Sequence, residues 1–234
     1  MQLPLNFPAA RLALSYLFHD PASLLPHAQI QNLLYFPLPF ATMLPVTSPS
    51  IPKIRAMILD KDNTLCPPDT ILLHPVLLAK LDQIRSSPEF SHSDHSILIV
   101  SNTAGSTRSA AHEAQAKALE AEARIPVLRQ HHDRKKPFCG RDIMDYFSQH
   151  GVTSNPAEVV VVGDRLATDV LLAREMGAWS LWVRDGFRDP NMLGRDYRGR
   201  LAKMEGFFER IMTGRFRQKP PLPSGLQNLQ ENMK

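Results

Sequence analysis

From Lys53 onward the apolar positions of the chain switch repeatedly between two periods. Short apolar runs at 54–60 ("IRAMILD"), 96–102 ("SILIVSN"), 125–130 ("IPVLRQ"), 158–164 ("EVVVVGD") and 178–186 ("AWSLWVRDG") predict five strands. The unbroken β-branched run in the fourth is the pattern of a strand covered on both faces. Between them lie helical spacings at 74–86, 109–123, 141–151 and 167–177, the last two closed by Gly151 and Gly177. A further helix is predicted near 197–212. Strict βα alternation predicts an α/β fold, a Rossmann-like, mostly parallel sheet with helices on both faces. The stretches 65–96 and 104–135, 32 residues each, hold their own helices and leave no room for a large cap domain.

Residues 1–52 have a different texture. They carry nine of the 20 prolines, many Leu and Phe, one cation (Arg11) and one anion (Asp20). "RLALSYLF" and "PHAQIQNLLYF" predict two short helices, the second opened by Pro26. Neither reaches the ~20 apolar residues needed to cross a bilayer. The segment either lies in a membrane interface or packs on the core, and it lacks the Arg-rich pattern of a transit peptide. The organisation expected is an apolar, membrane-associating segment at 1–52, a catalytic domain at 53–213, and a disordered basic tail at 214–234.

Charge sharpens this division. The net +4 arises almost wholly after residue 194, where nine cations face four anions, while residues 53–194 net −1. A core without basic excess argues against nucleic acid as a partner. Two cysteines, Cys66 and Cys139, form neither a CxxC pair nor a disulfide framework, so both read as buried thiols.

Candidate chemistry collects where strands end. Asp60-Lys61-Asp62-Asn63-Thr64 follows the first strand and Ser101-Asn102-Thr103 the second. Lys135-Lys136-Pro137 lies after the third, and Gly163-Asp164 through Asp169 closes the fourth. Phosphate-monoester hydrolysis needs such a set: a carboxylate nucleophile, a hard oxygen-bound dication such as Mg²⁺ between like charges, and a lysine and hydroxyls on the phosphoryl oxygens. Thr64 reads equally as a cap or a phosphate ligand. The adjacent His131 and His132 read as loop residues, and Arg165 and Arg184 as ion-pair partners or contacts to a second anionic group.

The ordered motifs "ILDKDNT", "LIVSNT", "KKP" and "VVVVGDRLATD" resemble those of the haloacid dehalogenase superfamily of aspartyl phosphatases. The resemblance implies Asp60 as nucleophile and metal ligand. It implies Asp62 as general acid and base, with its backbone carbonyl on the metal. Asp164 would complete the Mg²⁺ site, Ser101, Asn102 and Lys136 would bind phosphate, and Thr64 and Asp169 would support them, Asp169 by orienting metal waters or pairing with Lys136. Asn63 stands where the superfamily often has Gly, and Asn tolerates a left-handed turn. Over residues 53–187 the chain more closely resembles the mitochondrial phosphatidylglycerophosphate phosphatases of fungi. That implies a phosphatidylglycerophosphate substrate on the route to cardiolipin, at the matrix face of the inner mitochondrial membrane, as a peripheral protein. Homo-oligomerisation stays open. The alternative is a soluble Mg²⁺-dependent phosphatase of small phosphorylated metabolites.

Overall fold

The computed structural model describes residues 7–44, 53–68, 70–105, 109–130, 134–187 and 200–226. Its centre is a five-stranded parallel sheet of β1 (Ala28–Ile30), β2 (Ala56–Leu59), β3 (Ile97–Ile99), β4 (Val159–Gly163) and β5 (Trp179–Val183), in the order β1-β5-β4-β2-β3. Strand alternation splits the core in two. Met57, Leu59, Val160, Val162 and Leu181 face α2 (Pro75–Arg85) and α3 (Ala110–Ala123). Ala56, Ile58, Val159 and Val161 face α4 (Gly140–Gln149) and α5 (Leu171–Met176). Helices therefore cover both faces, which is why every position of β2 and β4 is buried. Neither segment beside the first motif holds an inserted domain among the described residues.

Three expectations need correction. The helix expected across 26–36 is instead strand β1 followed by a short 3₁₀ turn at Leu33–Tyr35. Pairing with β5 and burial of Ala28 and Ile30 on either side of exposed Gln29 outweigh the local helical spacing. Asn32 starts the turn by accepting the Leu34 amide at 3.0 Å. The strand expected at 125–130 shrinks to one bridge between Val127 and Ile99. The Pro126 carbonyl and Leu128 amide still pair with Ile99, but the Gln130 amide turns to the Gly105 carbonyl, Glu120 accepts the Val127 amide, and Glu113 and Glu120 clasp the Arg129 guanidinium. His131 and His132 lie outside the described residues.

The third correction concerns both ends of the chain. Residue 53 is not a packing boundary, because Leu25, Leu33, Phe36 and Phe40 are almost completely buried against the sheet domain. The Phe40 amide also donates to Glu89 at 2.8 Å. In the N-terminal segment α1 (Phe7–His19) exposes several large apolar side chains, with Phe7, Leu14 and Phe18 more than half exposed, and Tyr35 is exposed as well. Residues 214–226 are ordered against the body, with Leu222 and Leu226 in the core. The tail carries few apolar residues, yet these two suffice to seat it beside β1 and β5. Cys66 and Cys139 are buried free thiols, and burial pushes Cys139 up to about 12, leaving it unreactive.

His27 ties the two ends together. Its Nδ1 accepts the Ser180 amide at 3.0 Å, so Nε2 carries the proton and donates to the Pro221 carbonyl at 3.0 Å. Burial holds the ring neutral, its pKa lowered from 6.5 to about 4. The unfolded chain therefore binds a proton between pH 6.5 and 4 that the fold refuses, and stability falls as pH falls through this window. The loss should be on the order of 3 kcal/mol. Thermal melts across pH 4 to 7 should show this decline, and His27→Gln should flatten it from a lower neutral-pH starting point.

Candidate active site

The crevice opens where the connections leave β2 and β4 in opposite directions. Asp60 follows β2 directly, and its amide donates to the Val162 carbonyl of β4 at 2.9 Å. The chain then reverses: Leu65 donates to the Lys61 carbonyl at 2.9 Å, and Asn63 adopts φ 61°. Asn thus supplies the left-handed turn. On β4 the last strand residue is Gly163. A Cβ there would lie 2.3 Å from the Asp169 carboxyl carbon, so only glycine lets that carboxylate approach the strand end. A wide π-type turn at Leu166–Val170 aims Asp169 back into the crevice, and its Oδ2 accepts the Arg165 amide at 3.2 Å.

Asp60, Asp164 and Asp169 converge: one carboxylate oxygen from each lies within 4.8 Å of the others, and all three residues are buried. Lys136 reaches into the cluster and donates from Nζ to Asp60 Oδ1 and, at 2.6 Å, to Asp169 Oδ1. Burial raises Asp60 to about 7, with Asp169 and Asp62 adding to the rise and Lys136 opposing it. Burial also raises Asp164, helped by Asp60 and Asp169. Burial disfavours the Lys136 charge, but Asp169 and Asp60 outweigh it and hold the lysine protonated. One ammonium for three buried carboxyl groups leaves negative charge that a proton or a further cation must offset. An all-oxygen donor set with that charge fits a hard dication such as Mg²⁺.

The other sequence candidates take distinct positions. The Asp62 carboxylate is held apart from this cluster by two donors, Lys61 Nζ at 2.5 Å and Thr103 Oγ1 at 3.0 Å. Ser101 is buried after β3, where its hydroxyl accepts the Thr103 amide at 3.1 Å. Asn102 grips the lysine loop, its Oδ1 accepting the Lys136 amide at 2.9 Å and its backbone carbonyl accepting Lys135 Nζ at 2.8 Å. Of the two lysines, Lys136 alone enters the carboxylate cluster. The Thr64 hydroxyl is buried without a hydrogen-bond partner among the described residues, so it caps nothing there. Arg165 lies beside Asp164, whose charge it favours, and Arg184 pairs with Asp185 at 3.0 Å.

Two contributors escaped the sequence reading. Lys61 looks like a spacer between aspartates, yet it is 2% exposed and clamps Asp62 while donating to the Thr70 carbonyl. Half-buried Glu205, on α6 (Arg200–Arg210), accepts the Ala167 amide in the turn that carries Asp169. A charged residue inside a motif was the signal for Lys61. Glu205 gave none, being one acid on an amphipathic helix.

A parallel α/β sheet with an Asp60–Lys136–Asp169 ionic cluster and Asp164 at the carboxyl ends of its central strands defines a haloacid-dehalogenase-type phosphatase. The chain belongs to the mitochondrial PGP phosphatase family, which it matches over residues 8–188. It is 45% identical over 135 residues to mitochondrial phosphatidylglycerophosphatase GEP4 of Saccharomyces cerevisiae, covering 58% of this chain and 69% of that one. The probable mitochondrial phosphatidylglycerophosphatase of Schizosaccharomyces pombe is 27% identical over 167 residues, 71% of this chain and 77% of its own. Phosphatidylglycerophosphate phosphatase 1, chloroplastic/mitochondrial, of Arabidopsis thaliana is 29% identical over 165 residues, 70% of this chain and 42% of its own. No solved structure matches the chain significantly.

Proposed function

We propose that this protein removes the terminal phosphate of phosphatidylglycerophosphate, giving phosphatidylglycerol for cardiolipin synthesis at the matrix face of the inner mitochondrial membrane. The observation that carries the reading is the family match spanning the whole crevice, from β1 to the end of β5. No helix of the described residues is long and apolar enough to cross a membrane, so the lipid would be met at a surface.

In this reading Asp60 attacks the phosphorus and the bond to the glycerol oxygen breaks. Asp62 gives the departing alkoxide its proton, then takes one from the water that hydrolyses the aspartyl-phosphate and frees Asp60. The Lys61 and Thr103 hydrogen bonds hold the Asp62 carboxylate in place for both transfers. Lys136, kept protonated by Asp60 and Asp169, offers its ammonium to the phosphoryl oxygens, and the buried Ser101 hydroxyl stands by the same strand end. Bound Mg²⁺, held by Asp60, Asp164 and the Asp62 backbone carbonyl, would neutralise the repulsion between nucleophile and phosphate. Asp169 fixes Lys136 and would add to the negative field that holds the metal.

The direct test is phosphate release from phosphatidylglycerophosphate in vesicles, with and without Mg²⁺, beside sugar phosphates. Preference for the lipid with strict Mg²⁺ dependence is expected. Equal or faster release from sugar phosphates would favour a metabolite phosphatase, and undiminished activity in chelator would remove the metal from the mechanism.

A further inference from the structure

The segment after β5 has a division of charge that the proposed chemistry does not use. Along α6 and the following turn (Ile211–Arg215), one side is directed inward. Phe208 packs against Leu166, Val170 and Trp182, Glu205 binds the Ala167 amide, and the carboxylate of buried Glu209 accepts the Thr213 hydroxyl at 3.3 Å. Both acids of this described stretch are thus turned away from solvent. The outward side carries Met204, Phe207 and Phe216, at 65%, 62% and 57% exposure. Around them the exposed side chains include Arg210, Arg215, Arg217 and Lys219, and no exposed acid among the described residues. Met204, Phe207 and Arg210 follow the three-residue spacing that keeps side chains on one helix face. Apolar side chains ringed by cations, with the anions buried behind them, are what a helix lying on an anionic lipid surface needs.

Position supports the same occupant. The inner side of α6 is seated on the turn carrying Asp169, and Trp182, which Phe208 covers, donates from Nε1 to the Asp164 carbonyl at 2.8 Å. Helix α1, with exposed Phe7, Leu14 and Phe18, packs against that same turn. Two helices with outward apolar residues therefore brace one catalytic loop. We infer that α6 and the basic turn after it, together with α1, form a two-helix surface that seats this protein on an anionic phospholipid bilayer and presents the crevice to lipid phosphates. This rests on the reading of the site as a lipid-phosphate phosphatase and identifies the contact by which it reaches the substrate. The charge complementarity chooses a bilayer over a second copy, since two copies would oppose cation to cation.

The test is vesicle flotation of the full chain with phosphatidylcholine alone and with phosphatidylcholine mixed with cardiolipin. Two triple variants are compared: Arg210→Gln/Arg215→Gln/Lys219→Gln, and Met204→Ser/Phe207→Ser/Phe216→Ser. Wild-type protein should bind the anionic vesicles and release as salt rises. The charge variant should bind roughly 100-fold more weakly, from the usual worth of each cation at an anionic surface. The apolar variant should lose its salt-resistant fraction. Both should hydrolyse a water-soluble phosphate ester within about twofold of wild type, because none of these side chains belongs to the catalytic cluster. Wild-type binding that is equal on neutral vesicles, or unchanged in either variant, would overturn the inference. So would loss of soluble-ester hydrolysis in the variants, or an altered oligomeric state by sedimentation with vesicle binding intact. A wild-type protein that binds anionic vesicles yet hydrolyses no phosphate ester would instead sink the phosphatase reading alone.

Discussion

Asp60→Asn should reduce phosphate release by at least ~10⁴-fold while leaving the protein folded. The amide cannot attack phosphorus, and it is a poorer ligand for a hard cation. Its remaining oxygen can still accept from Lys136, whose other partner, Asp169, is untouched. The substitution also removes a carboxylate that burial already disfavours as an anion. The melting temperature should therefore move by only a few degrees. Asp62→Asn should behave differently. It should lose roughly 10²–10⁴-fold on an alkyl phosphate, whose leaving group needs a proton, and much less on an aryl phosphate. Single-turnover assays with both esters make the comparison. Near-normal rates for Asp60→Asn would exclude the covalent route, and equal losses on both esters would exclude Asp62 as the acid.

A chain beginning at Thr47 should fail to fold, whereas one beginning at Asp20 should fold nearly as well as the full chain. The first cut removes β1 and with it the Arg184 amide's partner, the Ile30 carbonyl at 2.8 Å. It also strips Leu24, Leu25, Leu33, Phe36 and Phe40 from the core. Losing one large buried side chain costs ~2–5 kcal/mol, and a whole domain is stable by only ~5–15 kcal/mol. Repacking cannot offset five such losses and an unpaired strand. The second cut removes α1, which buries Ala9 and donates from the Tyr16 hydroxyl to Glu175 at 2.6 Å. Circular dichroism and thermal melts would separate the two outcomes. A cooperative melt from the Thr47 chain would mean that residues 20–44 are dispensable to the core. An unfolded Asp20 chain would mean that α1 is structural.

Much of the candidate site could be read along the chain because its residues sit at fixed offsets from strand ends. Asp60 follows an apolar run, Asp164 and Asp169 flank the turn after a β-branched run, and Lys136 precedes a proline. In a parallel sheet those ends all lie on one side, so adjacency in space follows from topology alone. The wide spread of exposure was legible too: VVVV between two turns can only be a strand covered on both faces. Which of Lys135 and Lys136 turned inward was not a matter of periodicity, and the Asn102 grip on the Lys136 amide decided it.

The alternating βα pattern, the covering of β4 on both faces and the order of the motifs were thus determined by sequence, since each depends on contacts within a few residues or on a rule of chain topology. Tertiary structure decided the rest. Residues 28–30 became an edge strand because β5 offered unpaired backbone groups and Trp179 an apolar surface, neither of which helical spacing near Pro26 can register. The 125–130 run kept only two backbone hydrogen bonds to Ile99, since the Gln130 amide turns to the Gly105 carbonyl and Arg129 is held by Glu113 and Glu120 of α3. Lys61 became a buried clamp, and Glu205 turned inward, because Lys61 meets the Thr70 carbonyl nine residues on and Glu205 the Ala167 amide 38 residues back. Local propensity amounts to tenths of a kcal/mol per residue, and burial of a single side chain or charge to several, so wherever the two disagreed the distant partner prevailed.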